Sequence, residues 1–141
     1  MSTLKVNNIQ DADGNNPSTA AQLNKGRAKA WVNFNGGFQD SNNEFTLSNG
    51  GLRTSYNVSS VTDRGTSSSQ QGLFTVNFNS GTFTSVNFIA AGITGNYNGI
   101  TTNAFVIIPD GTRTVTAFPI RVYGAGDPSD KGDINLVFFG D

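Results

Sequence analysis

Carboxylates are the first groups to test for chemistry, because cleaving a glycosidic bond needs one acid and one base or nucleophile at a set separation. Glu44 is the only Glu in the 141 residues. The Asp residues, Asp63 apart, stand in contexts of Gly, Ser or Asn where turn formation accounts for them. The chain has no His and no Cys, so a Ser nucleophile finds no imidazole base, and the two ligand types that dominate zinc and copper sites are missing. No G-x-S-x-G elbow occurs. Asp11-Ala12-Asp13-Gly14-Asn15 opens like a calcium loop, with oxygens at alternate positions. The sixth position of that loop is Asn16 rather than Gly, and the twelfth is Gln22 rather than Glu, so a plain turn is the better reading. The Gly-rich points such as Gly92 to Gly95 lack the Lys of a phosphate-binding loop. Asn57-Val58-Ser59 fits a glycosylation sequon, without any further sign of secretion. The expectation is a protein without enzyme activity, cofactor or metal.

Aromatic side chains are the remaining lead. Trp31 alternates with Lys29 and Asn33 on the face opposite Ala28, Ala30, Val32 and Phe34, and Tyr56, Tyr97 and Tyr123 fall near strand ends or loops. Aromatic faces beside Asn, Asp and Ser suit both sugar recognition and subunit contacts. For Trp31 the contact reading is preferred; Tyr97, within Gly95-Asn96-Tyr97-Asn98-Gly99, reads as a loop residue with a possible ligand role.

The composition narrows the classes further. Charged residues are 13% and hydrophobic residues 35% of the chain, with 17 Gly, 18 Asn, 15 Thr and 13 Ser filling the difference. The net charge of −1 and the lack of a basic run exclude the electrostatic footprint of nucleic-acid binding. Apolar runs such as Phe105-Val106-Ile107-Ile108 are too short to span a bilayer as a helix, and Met1-Ser2-Thr3 does not open a signal peptide, so no membrane insertion is expected. Low charge with eleven Phe describes a folded chain that covers part of its surface with a partner.

The elements that would position these residues are strands. Leu4, Val6 and Ile9 make a short strand-like arm, followed by the turn formers Asp11 to Asn16. Asn16 to Gly26 is expected to be one short helix, with Pro17 in its first turn, Thr19 and Gln22 at capping-box spacing and Gly26 as terminator. Its apolar face holds only Ala20, Ala21 and Leu23, so it must lean on something, a symmetry axis being one candidate. From Ala28 the period changes to two. Strands are expected at Ala28 to Phe34, Phe45 to Leu47, Leu52 to Val61, Leu73 to Phe78, Phe83 to Ala90, Thr102 to Ile108, Thr112 to Tyr123 and Ile134 to Phe139.

Alternation nominates the core: Phe74, Val76 and Phe78; Val86, Phe88 and Ala90; Phe118, Ile120 and Val122; Ile134, Leu136 and Phe138. Asp110-Gly111 is the strongest tight-hairpin signal, and Pro119 marks its strand as an edge or bulged there. Segments Thr62 to Gly72 and Gly124 to Gly132 read as exposed loops. The fold class is all-β, an antiparallel sandwich or flattened barrel over 27–141, with an arm and short helix over 1–26. Phe105 to Ile108 and Leu136 to Phe139 are apolar on both faces, so Val106, Ile108, Val137 and Phe139 are expected to meet a partner subunit.

Two stretches, Met1-Ser2-Thr3-Leu4-Lys5-Val6-Asn7-Asn8-Ile9-Gln10-Asp11 and Gly26-Arg27-Ala28-Lys29-Ala30-Trp31-Val32-Asn33-Phe34-Asn35-Gly36, resemble the start of short virion proteins of tailed phages, especially cyanophages, described as tail fibre proteins. Ser55-Tyr56-Asn57-Val58-Ser59-Ser60-Val61-Thr62-Asp63, Thr75-Val76-Asn77-Phe78 and the closing Asp133-Ile134-Asn135-Leu136-Val137-Phe138-Phe139-Gly140-Asp141 agree with that pattern, which covers most of the chain in patches.

The resemblance implies a β-rich, intertwined homotrimer located on the virion. Leu4, Val6 and Ile9 of the arm would attach it to other tail or capsid proteins, and Leu23 and Trp31 would join the trimer contacts. Tyr97, Asn98, Asp127 and Asp130 would face the host surface, with a cell-surface glycan as a candidate receptor. It brings no catalytic residues. The shortness of the chain keeps open a capsid decoration, head fibre or tail fastener with no receptor role. A cellular carbohydrate-binding module fits less well.

Overall fold

A computed structural model describes residues 8–9, 18–19, 26–37, 43–64, 72–95, 104–107, 112–124, 127–128 and 133–140. It is all-β. Among the described residues twelve strands follow in chain order: β1 (Asn8–Ile9), β2 (Ser18–Thr19), β3 (Ala28–Phe34), β4 (Glu44–Phe45), β5 (Leu52–Tyr56), β6 (Val58–Asp63), β7 (Leu73–Phe78), β8 (Ile89–Gly95), β9 (Ala104–Ile107), β10 (Ala117–Gly124), β11 (Asp127–Pro128) and β12 (Asp133–Phe139). They form a two-stranded ribbon β1-β2, a four-stranded sheet β5-β3-β12-β8, and a six-stranded sheet β11-β10-β7-β6-β4 in which β9 also pairs with β10. Every pairing is antiparallel.

The two larger sheets enclose one hydrophobic core. Strict alternation in β3, β7 and β12 turns Ala30, Val32, Phe34, Phe74, Val76, Phe78, Ile134, Leu136 and Phe138 inward, where they are buried together with Phe118, Ile120 and Val122 of β10. The Phe rings fill the centre edge to face: Phe78 meets Phe138 at 4.9 Å and 84°, and Phe118 meets Phe138 at 5.3 Å and 81°. The sandwich and three of the four expected core stripes follow directly from period two. Pro119 stands opposite Thr75 of β7, and among the described residues β9 pairs with β10 from Arg121 onward, a side on which Pro119 needs no N–H.

Several expectations need correction. The helix placed over Asn16 to Gly26 does not begin as one, since Ser18–Thr19 is a strand paired with Asn8–Ile9. Thr19 is β-branched, which suits the extended backbone of this pairing better than a helix. Residues 20–25, including Leu23, lie outside the described residues. The single strand expected over Leu52 to Val61 is two strands in different sheets, broken at Asn57 with φ 56°. Asn tolerates the left-handed region better than other side chains. Its amide nitrogen donates to the Lys29 carbonyl at 2.8 Å, and its own carbonyl accepts from the Asn79 N–H at 3.0 Å, so one residue fixes the crossing between sheets.

Phe83 to Ala90 is not a strand until Ile89. Phe83 and Phe88 are both buried and stack at 4.4 Å, whereas a strand sends residues five apart to opposite faces; the backbone between them is therefore irregular, and Val86 is exposed rather than core. The tight hairpin at Asp110-Gly111 is also overturned. Ile107 pairs with Arg121, so residues 108–120 separate the partners, and the chain around Thr114 and Thr116 turns back on itself before β10 starts at Ala117. Finally, the loop expected over Gly124 to Gly132 contains β11, in which Asp127 pairs with Gly124 and Pro128 with Tyr123.

Candidate functional site

The solvent side of the four-stranded sheet gathers the residues that the core does not use. Register decides the grouping. Val137 of β12 lies opposite Trp31 on one side and Ala91 on the other, and Trp31 lies opposite Tyr56, giving a row Tyr56, Trp31, Val137, Ala91 across all four strands. The next row is Thr54, Asn33, Asn135, Ile93, and Phe139 with Ile89 continues the surface beyond the first. Residues directly opposite in an antiparallel sheet share a face, so these side chains all point away from the core.

This surface is apolar and open. Trp31 is 38% exposed, Tyr56 51%, Ile89 69% and Ile93 71%. Val137 and Phe139 are half-buried. The Trp31 and Tyr56 rings stack at 6.5 Å with 22° between planes, and a groove of about 510 Å³ runs beside Trp31 over Val137, Asn135 and Ile93. Two of its polar residues bond each other, the Asn33 amide donating to the Asn135 side-chain oxygen at 2.5 Å, and Thr54 adds a hydroxyl. At the rim Arg53, an extra residue at the β3–β5 irregularity, forms an ion pair with Asp133. Asp133 thus sits within β12 rather than in the turn its neighbours suggested.

Such a surface can bind but offers no acid–base pair. Among the described residues no group of three His, Cys, Asp or Glu could hold a metal ion. Among them, too, no helix is long and apolar enough to cross a membrane.

Of the residues singled out in the sequence, the structure brings together Trp31, Val137 and Phe139. Ile9, Val106 and Asp127 are placed in β1, β9 and β11 by their backbone. Leu4, Val6, Leu23, Tyr97, Asn98, Ile108 and Asp130 lie outside the described residues. Sequence reasoning missed Ile89, Ala91 and Ile93. Their alternation with Ala90 and Gly92 was the available signal, hidden by ending the strand at Ala90. Tyr56 was noted only as a strand-end residue, because its partnership with Trp31 depends on a pairing between non-consecutive strands.

Comparison with protein-family models, with curated proteins and with solved structures found no match for this chain.

Proposed function

We propose that the chain is a structural protein of a phage virion, a short homotrimeric tail fibre or receptor-binding tip without enzyme activity. The observation that carries this reading is the contiguous apolar surface around Trp31 on a sandwich whose charged residues are only 13% of the chain. Surfaces of that kind on small domains serve contact rather than chemistry. The stretches that resemble phage tail fibre proteins suggest the kind of assembly. On this reading Leu4, Val6 and Ile9 hold the virion, and Tyr97, Asn98, Asp127 and Asp130 meet the host, with a surface glycan as the receptor class.

The test is made on particles and cells. Antibodies to the chain, applied with gold label to intact virions, are expected to mark the tail tip, and the purified chain is expected to slow adsorption of the phage to its host. Gold over the capsid with no effect on adsorption would replace the receptor role by the decoration reading. Absence of the chain from purified virions would refute both.

A further inference from the structure

We propose that the Asn35-Gly36 turn is a site of self-modification in the folded protein, its side-chain amide giving way to aspartate and isoaspartate after attack by the Gly36 backbone nitrogen, while the like pair Asn49-Gly50 is protected by its hydrogen bonds. The inference concerns the ageing of the chain and does not depend on the reading of its function.

The chemistry follows from the dipeptide. The Gly36 nitrogen forms a bond to the Asn35 Cγ and the bond from Cγ to Nδ2 breaks. The departing amide nitrogen takes up the proton that the Gly36 nitrogen gives up, and ammonia leaves a cyclic imide. Water then opens the ring at either carbonyl. One product is Asp; the other is isoaspartate, whose main chain runs through the side chain and is longer by a CH2 group. Glycine after Asn makes the attack practicable, because no Cβ obstructs the approach and the backbone can take the conformation the ring demands.

Both pairs share that sequence, so what holds each amide decides between them. Asn49 is held at both ends of its side chain. Its Oδ1 accepts from the Thr46 and Gly51 N–H groups at 2.8 and 3.0 Å, and its Nδ2 donates to the Glu44 carbonyl at 2.6 Å. Turning its Cγ toward the Gly50 nitrogen disrupts this set. Asn35 has a pinned backbone and a hinged side chain: its N–H donates to the Gly51 carbonyl at 3.1 Å, and its Oδ1 accepts from the Gly37 N–H at 3.1 Å. Among the described residues no bond holds its Nδ2, the group that must leave. The Gly37 donor meets the oxygen on which negative charge gathers as the Gly36 nitrogen adds, so this bond strengthens through the step. Asn35 is half-buried and Gly37 exposed, which gives water access to the ring.

The product would be felt in the fold. Phe34, the preceding residue, is buried against Phe45 and Phe74. A longer main chain directly after it disturbs the tie to Gly51, and the new carboxylate makes the chain one charge more negative than its present −1. The bonds to Thr46 and Glu44 have no counterpart at Asn35, and at the usual net worth of a hydrogen bond they slow Asn49 by roughly tenfold or more.

The experiment incubates the full chain in mildly alkaline heavy-oxygen water, folded and in urea, and digests it in ordinary water, so that the label marks conversion during the incubation alone. Cleavage after Glu44, the only Glu, and after Arg53 separates the two sites from each other and from Asn98-Gly99. Fragmentation spectra place the label on a residue. In the folded chain Asn35 is expected to take up label roughly tenfold faster than Asn49, and in urea the two rates are expected to draw together as the bonds are lost. Asn49 converting as fast as Asn35 in the folded chain, or Asn35 converting only in urea, overturns the proposal. Rates that stay equally far apart in urea assign the difference to neighbouring sequence and overturn the protective role of the Asn49 bonds.

Discussion

At the residue scale, individual polar side chains and glycines hold the backbone where strands change sheet. Asn49 is the clearest case. Its side-chain oxygen accepts from the N–H groups of Thr46 and Gly51 at 2.8 and 3.0 Å, and its amide donates to the Glu44 carbonyl at 2.6 Å. Asn49→Ala therefore strands several backbone groups in the turn between β4 and β5, and a loss of about 1–3 kcal/mol in urea unfolding is expected. Gly140 makes a different point. A Cβ there would lie 2.6 Å from the Phe88 Cβ and 2.9 Å from its Cα, so Gly140→Ala forces backbone apart and is expected to cost about 1–3 kcal/mol. Gly26→Ala, with nothing within 4 Å, is expected to stay within about 0.5 kcal/mol and serves as the control. None of these contacts was visible in the sequence, because an Asx contact or a close approach depends on what lies opposite.

At the element scale, β12 shows why part of the fold could be read and part could not. Its alternation places Ile134, Leu136 and Phe138 in the core and Val137 and Phe139 outside, and this period-two signal was legible without any structure. Phe138→Ala is expected to cost about 3–5 kcal/mol, since the ring meets Phe78, Phe88 and Phe118. Val137→Ser, one residue away on the opposite face, is expected to leave the unfolding midpoint of the monomer nearly unchanged and to weaken association instead. Denaturant titrations at fixed protein concentration, with mass measured in parallel, separate the two effects. The irregular chain from Asn79 to Phe88 escaped the same reasoning. Its two buried rings break the alternation, so a strand was extended through a segment that the core requires to bend. The β8 part of the apolar face escaped in the same way, because Ile93 joins it only through β8 pairing with β12.

At the scale of the whole molecule, the described residues bury one core and leave the solvent side of the four-stranded sheet apolar around Trp31, Ile89 and Ile93. For β12 the apolar outer side was legible in Val137 and Phe139, whereas the side chains of the other two-sided stretch, 105–108, lie outside the described residues. Association through an apolar face is insensitive to screening, so a tenfold rise in ionic strength is expected to leave the solution mass unchanged; dissociation by salt would point to charged contacts elsewhere. The most direct test of the account is the mass of the full chain by light scattering across a dilution series. A species of about three times 14.9 kDa that dissociates only at low concentration is the predicted result. A soluble monomer throughout would contradict it.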